Sequence, residues 1–294
     1  MEVLVDFEIV TDTSSNLPDE TIDEFGLHIL PLTFMVDGVQ YKSYTQGETS
    51  DLKRFFTMMR EGKVITTSLP NRAESETTLR AILDSGRDLL YIGFSSGISG
   101  TYESVAAILD SLRTEYPDRK IYHTDTRAAA MGEGLLVYLA ACRAREGATI
   151  EETHAWVEAN KFNLAHWFTV DDLMFLFRGG RVSRTSAWAG TLLNIKPVLH
   201  VDNAGCLIPM EKVRGRKKSI LALLKHMKDT VQQPAEDQVV FISHGDCEEE
   251  ALFLADKIRE ELGCKDIRLN YLDPVIGAHA GPGTLALFFM ASGR

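Results

Sequence analysis

The chain has 294 residues, of which 45% are apolar and 25% charged, as in a globular protein of about two domains. Its net charge of −11 argues against nucleic acid as the main partner, because binding a polyphosphate requires a basic face. Four widely spaced cysteines, an acidic N-terminus and no apolar run of membrane-spanning length predict a cytoplasmic protein with reduced thiols.

Short apolar strands alternate with amphipathic helices in the first half, which is typical of α/β folds with a mainly parallel sheet. The predicted strands are residues 7–11, 28–36, 88–94 and 120–125. A short acidic helix is predicted to begin at Pro18. Two more are predicted at 51–61, capped by Ser50, and from Ser75 to about residue 86. Helices are also predicted at 101–116, at 131–145 and after a capping box formed by Thr149 and Glu152. That last helix ends near residue 161, which predicts one domain over 1–162 and a second over 163–294.

The second half predicts a mixed sheet, because it contains a hairpin. Strands are expected at 164–170, 197–201, 206–210, 239–243 and 267–272, and helices at 173–177, 186–193, 217–229 and 248–262. Residues 202–205, Asp-Asn-Ala-Gly, are the hairpin turn.

The segment 277–283, Gly-Ala-His-Ala-Gly-Pro-Gly, predicts a tight loop that holds the imidazole of His279 close to a small ligand. Two other segments are rich in hydroxyls. Ser99 is expected at or near the N-cap of a helix that follows a buried strand, where free amides and the helix dipole favour an anion. Thr67 lies in an extended segment before Pro70 and offers a further hydroxyl donor.

Two other functions fit the same residues. Residues 93–97 match the GxSxG nucleophile pattern, and Asp273 and His279 follow in the chain, so a serine hydrolase with Ser95 as nucleophile stays an alternative. A sensor that binds an anion or phosphate without lipid also fits these loops. Asp12 could ligate a metal, but without a supporting His/Asp/Glu cluster we expect no metal site.

Eight motifs, in order along nearly the whole chain, resemble those of the DegV family. They are TDTSS at 11–15, TSLP at 67–70, SSGISGT at 95–101, VDDL at 170–173, GGRVS at 179–183, LNIKPVL at 193–199, KVRGRKK at 212–218 and GAHAGPG at 277–283. Each motif alone is weak, whereas the ordered set is specific.

The DegV family comprises bacterial fatty acid-binding proteins, including the B-type subunits of fatty acid kinase. The resemblance implies two α/β domains with an acyl chain between them. It also implies a carrier, not an enzyme, that sequesters a long-chain fatty acid and presents its carboxylate to a partner kinase in phospholipid metabolism. No cofactor is expected besides the bound lipid, and contact with the membrane is expected to be transient.

By position, Thr67 and Ser99 would contact the carboxylate, with His279 in the same polar cluster. Arg181 and Arg214 match basic positions that would face the kinase. Leu69, Asn71, Ala280 and the alanines at 128–130 depart from the family pattern. They bear on chain-length preference and leave Thr67, Ser99 and His279 unchanged.

Overall fold

The computed structural model describes residues 5–48, 50–183 and 194–294, and within these ranges the strands form three sheets. The strands are β1 (Phe7–Asp12), β2 (His28–Leu30), β3 (Thr33–Val36), β4 (Val39–Lys42), β5 (Ile65–Ser68), β6 (Asp88–Gly93), β7 (Ile121–Asp125), β8 (Leu164–Thr169), β9 (Ile195–Val201), β10 (Leu207–Arg214), β11 (Val239–His244), β12 (Asp266–Tyr271) and β13 (Leu285–Met290). The α-helices are α1 (Asp19–Phe25), α2 (Leu52–Arg60), α3 (Arg72–Asp84), α4 (Thr101–Glu115), α5 (Met131–Arg145), α6 (Ile150–Asn160), α7 (Met174–Arg178), α8 (Arg216–Thr230), α9 (Glu248–Leu262) and α10 (Pro274–Ala280).

The first sheet has the strand order β2-β1-β6-β7, and all its pairs are parallel. Helices α3 and α4 cover one of its faces, where an apolar cluster includes Val10, Leu79 and Leu109. The prediction of a parallel sheet in the first half is confirmed.

The second sheet has the order β10-β9-β8-β13-β11-β12 and is antiparallel except for the pair β11–β12. Successive side chains of a strand point to opposite faces. Trp167 and Leu287 therefore pack with α8 and α9, whereas Phe168 and Phe288 face the first sheet. The predicted mixed sheet and the hairpin between β9 and β10 are both confirmed.

Helix α5 lies between the two sheets and is buried on nearly all sides. Its buried residues include Met131, Leu135, Leu136 and Ala140, and it contacts strands of both sheets. A helix that is apolar all round belongs in a core, so α5 joins the two sheets into one apolar cluster.

A small third sheet, β4-β3-β5, was not expected from the sequence. The predicted strand 28–36 is divided at Pro31, because proline cannot donate a ladder hydrogen bond, and the part after it pairs with β4 and β5 instead. This sheet matters for function because it places Phe34 opposite Thr67 and so positions β5.

Two predicted helix caps are wrong by a few residues. Asp51 caps α2 in place of Ser50, and Asn71 caps α3, while Ser75 lies buried inside that helix. The capping box of Thr149 and Glu152 is confirmed. The helix predicted at 186–193 lies outside the described residues. None of the helices in the described ranges has the length and apolarity needed to cross a bilayer.

Candidate ligand-binding site

A cavity lies where the face of the second sheet meets the loops after β6 and β7, the strand β5 and the helix α10. Its walls are mainly apolar and include Phe94, Phe168, Leu176, Val201, Leu207 and Phe288. The polar side chains in the lining are Thr67, Ser68, Ser99, His166, Arg181, His279 and Thr284. The structure thus brings the three predicted ligand residues, Thr67, Ser99 and His279, to one cavity.

Thr67 and His279 form a direct hydrogen bond. The Thr67 hydroxyl and Nε2 of His279 are 2.8 Å apart, and both residues are partly buried. Burial, and secondarily the positive charge of Arg181, lowers the pKa of His279 to about 4. The imidazole is therefore neutral at pH 7 when no anion is bound, and it can donate or accept one hydrogen bond through each ring nitrogen.

His279 stands on a helix rather than in the predicted glycine loop. Asp273 caps α10 through Oδ1, which accepts from the amides of Val275 (2.8 Å) and Ile276 (3.1 Å), and Pro274 occupies the first turn. His279 is in the last turn, and the bend follows at Gly281, with φ +86°, and Gly283, with φ +75°.

The space beside His279 depends on Gly179. A Cβ at that position would come within 2.3 Å of Nδ1 of His279. The glycine at the end of α7 therefore lets the imidazole sit close to the backbone, and it explains one residue of the Gly-Gly-Arg motif.

Ser99 lines the cavity but is not the helix cap. Gly100 is the N-cap residue of α4 and makes no side-chain cap, while the Ser99 hydroxyl pairs with the hydroxyl of Thr101 at 2.9 Å. Ser99 is half-buried and lies one residue before the cap, so its hydroxyl borders the cavity close to the helix N-terminus.

The loop that carries Ser99 is clamped by the hairpin turn between β9 and β10. The Ser95 hydroxyl donates to the carbonyl of Gly205 at 2.8 Å. A Cβ on Gly97 would lie 2.6 Å from the carbonyl oxygen of Ala204, so only glycine fits. The second sheet therefore fixes a loop that belongs to the first.

The two predicted partner-facing arginines differ in position. Arg181 is half-buried, lines the cavity, and donates to the carbonyl of Gly179; burial lowers the pKa of its guanidinium. Arg214 is exposed at the end of β10. The contact of both residues with a kinase stays a prediction.

The geometry gives no support to the serine hydrolase. The hydroxyl of Ser95 is fully buried and bonded to Gly205, and His279 bonds to Thr67. The carboxylate of Asp273 caps α10 through Oδ1. None of the bonds of a Ser–His–Asp triad joins these three residues.

Asp12, considered from the sequence as a metal ligand, has its oxygens occupied by protein donors. They accept from the amide of Ser14 (3.0 Å), the hydroxyl of Tyr91 (2.8 Å) and the amide of Phe94 (3.2 Å). Within the described residues no group of three or more His, Cys, Asp or Glu side chains could hold a metal ion.

Two buried polar residues near this region were missed from the sequence. His166 lines the cavity, and Glu133 lies beside Asp12, completely buried. The only sequence signal for Glu133 is an acid within the otherwise apolar segment 131–142; His166 gives none, because its strand reads simply as buried.

Comparison with known proteins agrees with the geometry. The family model described as "Uncharacterised protein, DegV family" matches residues 6–292. A DegV domain-containing protein of Clostridium perfringens is 42% identical over 284 residues, which cover 97% of each chain.

Solved structures give the same result. A fatty acid-binding DegV family protein from Thermus thermophilus aligns with a TM-score of 0.85 at 28% identity, covering 99% of this chain and 100% of that chain. DegV of Bacillus subtilis, described as a fatty acid-binding protein, aligns with a TM-score of 0.83 at 28% identity, covering 98% and 100%. With a family model and relatives that span almost its whole length, the chain belongs to the DegV family.

Proposed function

We propose that this protein binds a long-chain fatty acid in the cavity and holds its carboxylate at the polar cluster of Thr67, Ser99 and His279. The observation that carries the proposal is the hydrogen-bonded pair Thr67–His279 in the lining of a mainly apolar cavity. The described fatty acid binding of the Thermus and Bacillus relatives supports it.

The apolar part of the cavity suits an acyl chain. At about 0.8 kcal/mol per buried methylene, roughly 14 methylenes would contribute on the order of 11 kcal/mol before the costs of association. An anion sensor that binds no lipid would have no use for walls such as Phe168 and Phe288.

The polar cluster can supply hydrogen bonds to the carboxylate head group. A buried carboxylate without partners is very unfavourable, so it requires hydrogen-bond donors. Thr67 and Ser99 can donate hydroxyl protons, and an adjacent carboxylate raises the pKa of His279 so that the ring donates as well. Arg181, which lines the same cavity, adds a positive charge nearby.

We further propose that the protein is a carrier, not an enzyme, and presents the carboxylate to a partner kinase in the cytoplasm. Arg214, exposed at the end of β10, suits the surface that meets such a partner. We place the division between two domains at residues 162 and 163, between α6 and β8, with the ligand between them.

Mass spectrometry of an organic extract of the purified protein tests the proposal. A stoichiometric fatty acid is the expected result, and the delipidated protein should take up the same acid again. An extract without lipid, and no uptake of any acid between 14 and 20 carbons, would overturn the proposal. Ester hydrolysis that is lost in Ser95→Ala would restore the hydrolase.

A further inference from the structure

A second histidine lies in the wall of the cavity. His166, on β8, is 2% exposed, and its ring lines the cavity. Burial, followed by the positive charge of Arg294 and the neighbouring His200, lowers the pKa of His166 well below its ordinary value. The ring is therefore neutral at pH 7 and carries one N–H donor and one acceptor nitrogen.

The ring of His166 lacks hydrogen-bond partners among the residues that the structure describes. Its Nε2 points at Gly132 of α5 so closely that a Cβ there would lie 1.9 Å away. Nε2 therefore faces the backbone of α5, and we assign the ring proton to Nδ1, the nitrogen farther from Gly132. Because buried donors are nearly always paired, an unpaired N–H in a cavity wall points to an acceptor on the ligand.

Strand β13 gives the position of His166 along the cavity. Ala286 and Phe288 lie on one face of it, Thr284 directly precedes it, and all three line the cavity. The hydroxyl of Thr284 donates to the carbonyl of Ala280 at 2.9 Å, so Thr284 marks the end near the polar cluster.

Phe288 lies beside His166 and gives its position along the cavity. The two residues are paired in the β8–β13 register, and their rings meet edge to face at 4.8 Å. The four residues from Thr284 to Phe288 span about 13 Å. An extended acyl chain whose carboxylate lies level with Thr284 therefore reaches Phe288 at about its tenth carbon, at roughly 1.3 Å per carbon.

We propose that the cavity accepts long-chain fatty acids with a hydroxyl or keto oxygen near the tenth carbon, and that His166 recognises this oxygen. The proposal rests on the proposed fatty acid binding and names the substrate class of that site. An oxygen at this level would accept the ring N–H. A plain chain leaves that donor unpaired, and a chain with its oxygen elsewhere leaves the oxygen unpaired as well.

The test measures the Kd of the delipidated full chain for stearate, 10-hydroxystearate and 17-hydroxystearate. We expect the wild type to bind the 10-hydroxy acid about tenfold more tightly than the 17-hydroxy isomer, the ratio that one net hydrogen bond gives. His166→Leu should abolish this preference and keep the affinity for stearate. Phe168→Leu, in the same wall, is the control and should change all three affinities together.

Equal affinity of the wild type for the two isomers would overturn the proposal, and so would a preference that survives in His166→Leu. The isomer comparison needs no variant, so it decides the matter even where His166→Leu fails to fold. Failure of the wild type to bind stearate and both hydroxy acids is a different outcome, because it overturns the proposed function itself.

Discussion

The hydroxyl of Thr67 and Nε2 of His279 lie 2.8 Å apart, although 212 residues separate them in the chain. The bond joins β5 of the small third sheet to the last turn of α10. The pair therefore needs both elements, since β5 supplies the hydroxyl and α10 the imidazole. The proposed head-group site therefore requires that the third sheet pack against α10.

Thr67→Val should weaken fatty acid binding by about 1–3 kcal/mol, or roughly 5- to 150-fold in Kd, because it removes a donor to a buried carboxylate and keeps the side-chain shape. Thr66→Val is the matched control: it makes the same change on the exposed side of the same strand and should leave the Kd unchanged. Ser99→Ala should behave like Thr67→Val. Unchanged Kd in both Thr67→Val and Ser99→Ala, measured by titration with a fluorescent fatty acid, would place the head group elsewhere.

Fatty acid binding should take up a proton through His279. Its pKa of about 4 in the empty cavity rises when a carboxylate arrives, because an opposite charge favours the imidazolium. Calorimetry at pH 6.5 in buffers of different ionisation enthalpy should show proton uptake by the wild type and less by His279→Gln. Equal uptake by the two proteins would contradict a charged His279 in the complex.

His279 should also impose a pH dependence on the empty protein. Its folded pKa lies below the unfolded value of about 6.5, so the unfolded chain binds the proton more readily. The contribution to stability is complete above pH 6.5 and is lost as the pH falls towards 4, up to about 3 kcal/mol. Urea unfolding should show that wild type loses stability relative to His279→Gln across this window; parallel curves would contradict the assignment.

Arg181 and Arg214 should differ in their effect on lipid binding, although both should contribute to partner contact. Arg214→Ala should leave bound lipid unchanged and slow phosphorylation of the bound acid by the proposed kinase partner, with less sensitivity to salt, because surface charges steer a partner. Arg181→Ala should do the same and also weaken lipid binding modestly, since this residue lines the cavity. Arg259→Ala on the exposed side of α9 is the control for a lost charge. Loss of lipid in Arg214→Ala would contradict this division.

Much of the fold could be predicted because its signals are local. The capping box of Thr149, the hairpin turn at 202–205 and helix 248–262 each depend on neighbouring residues, and the structure has all three. The third sheet could not be predicted, because its strands have four residues each and β4 is exposed throughout. The helix around His279 was missed because the glycines outweighed the Asp273-Pro274 start signal.

The candidate site, too, was predicted only in part from the sequence. The resemblance to DegV proteins supplied Thr67, Ser99 and His279, which the structure brings to one cavity. It gave no sign of His166, or of the pairing of Asp12 with Glu133. These contacts join distant parts of the chain; Thr11 and Glu133, for example, are 122 residues apart. Burial of a polar group is a tertiary property, and single-sequence patterns do not contain it.

Asp12 and Glu133 share one hydroxyl, which predicts that Glu133 stays protonated. Ser14 Oγ is 2.7 Å from Oε2 of Glu133 and is also bonded to Oδ1 of Asp12, yet it has a single proton. Burial raises the pKa of Asp12, but the bonds that it accepts from Ser14, Tyr91 and Phe94 oppose this shift, so we take Asp12 as the carboxylate. Glu133 then donates to Ser14, and Thr11 donates to its other oxygen. Burial, and then the nearby Asp12, raises the pKa of Glu133 well above its usual range.

Glu133→Gln should therefore be about as stable as the wild type below pH 4 and more stable at pH 7, because its amide donates towards Ser14 without having to bind a proton. Asp12→Asn should lower the free energy of unfolding by several kcal/mol, because the asparagine amide cannot accept all the hydrogen bonds that the carboxylate accepts. The folded pKa of Glu133 is raised, so its contribution to stability is complete below the unfolded value of about 4.3 and is lost as the pH rises through the folded pKa. Unfolding curves at rising pH should show the wild type losing stability relative to Glu133→Gln, and a constant difference between the two would mean that Glu133 is ionised in the native protein.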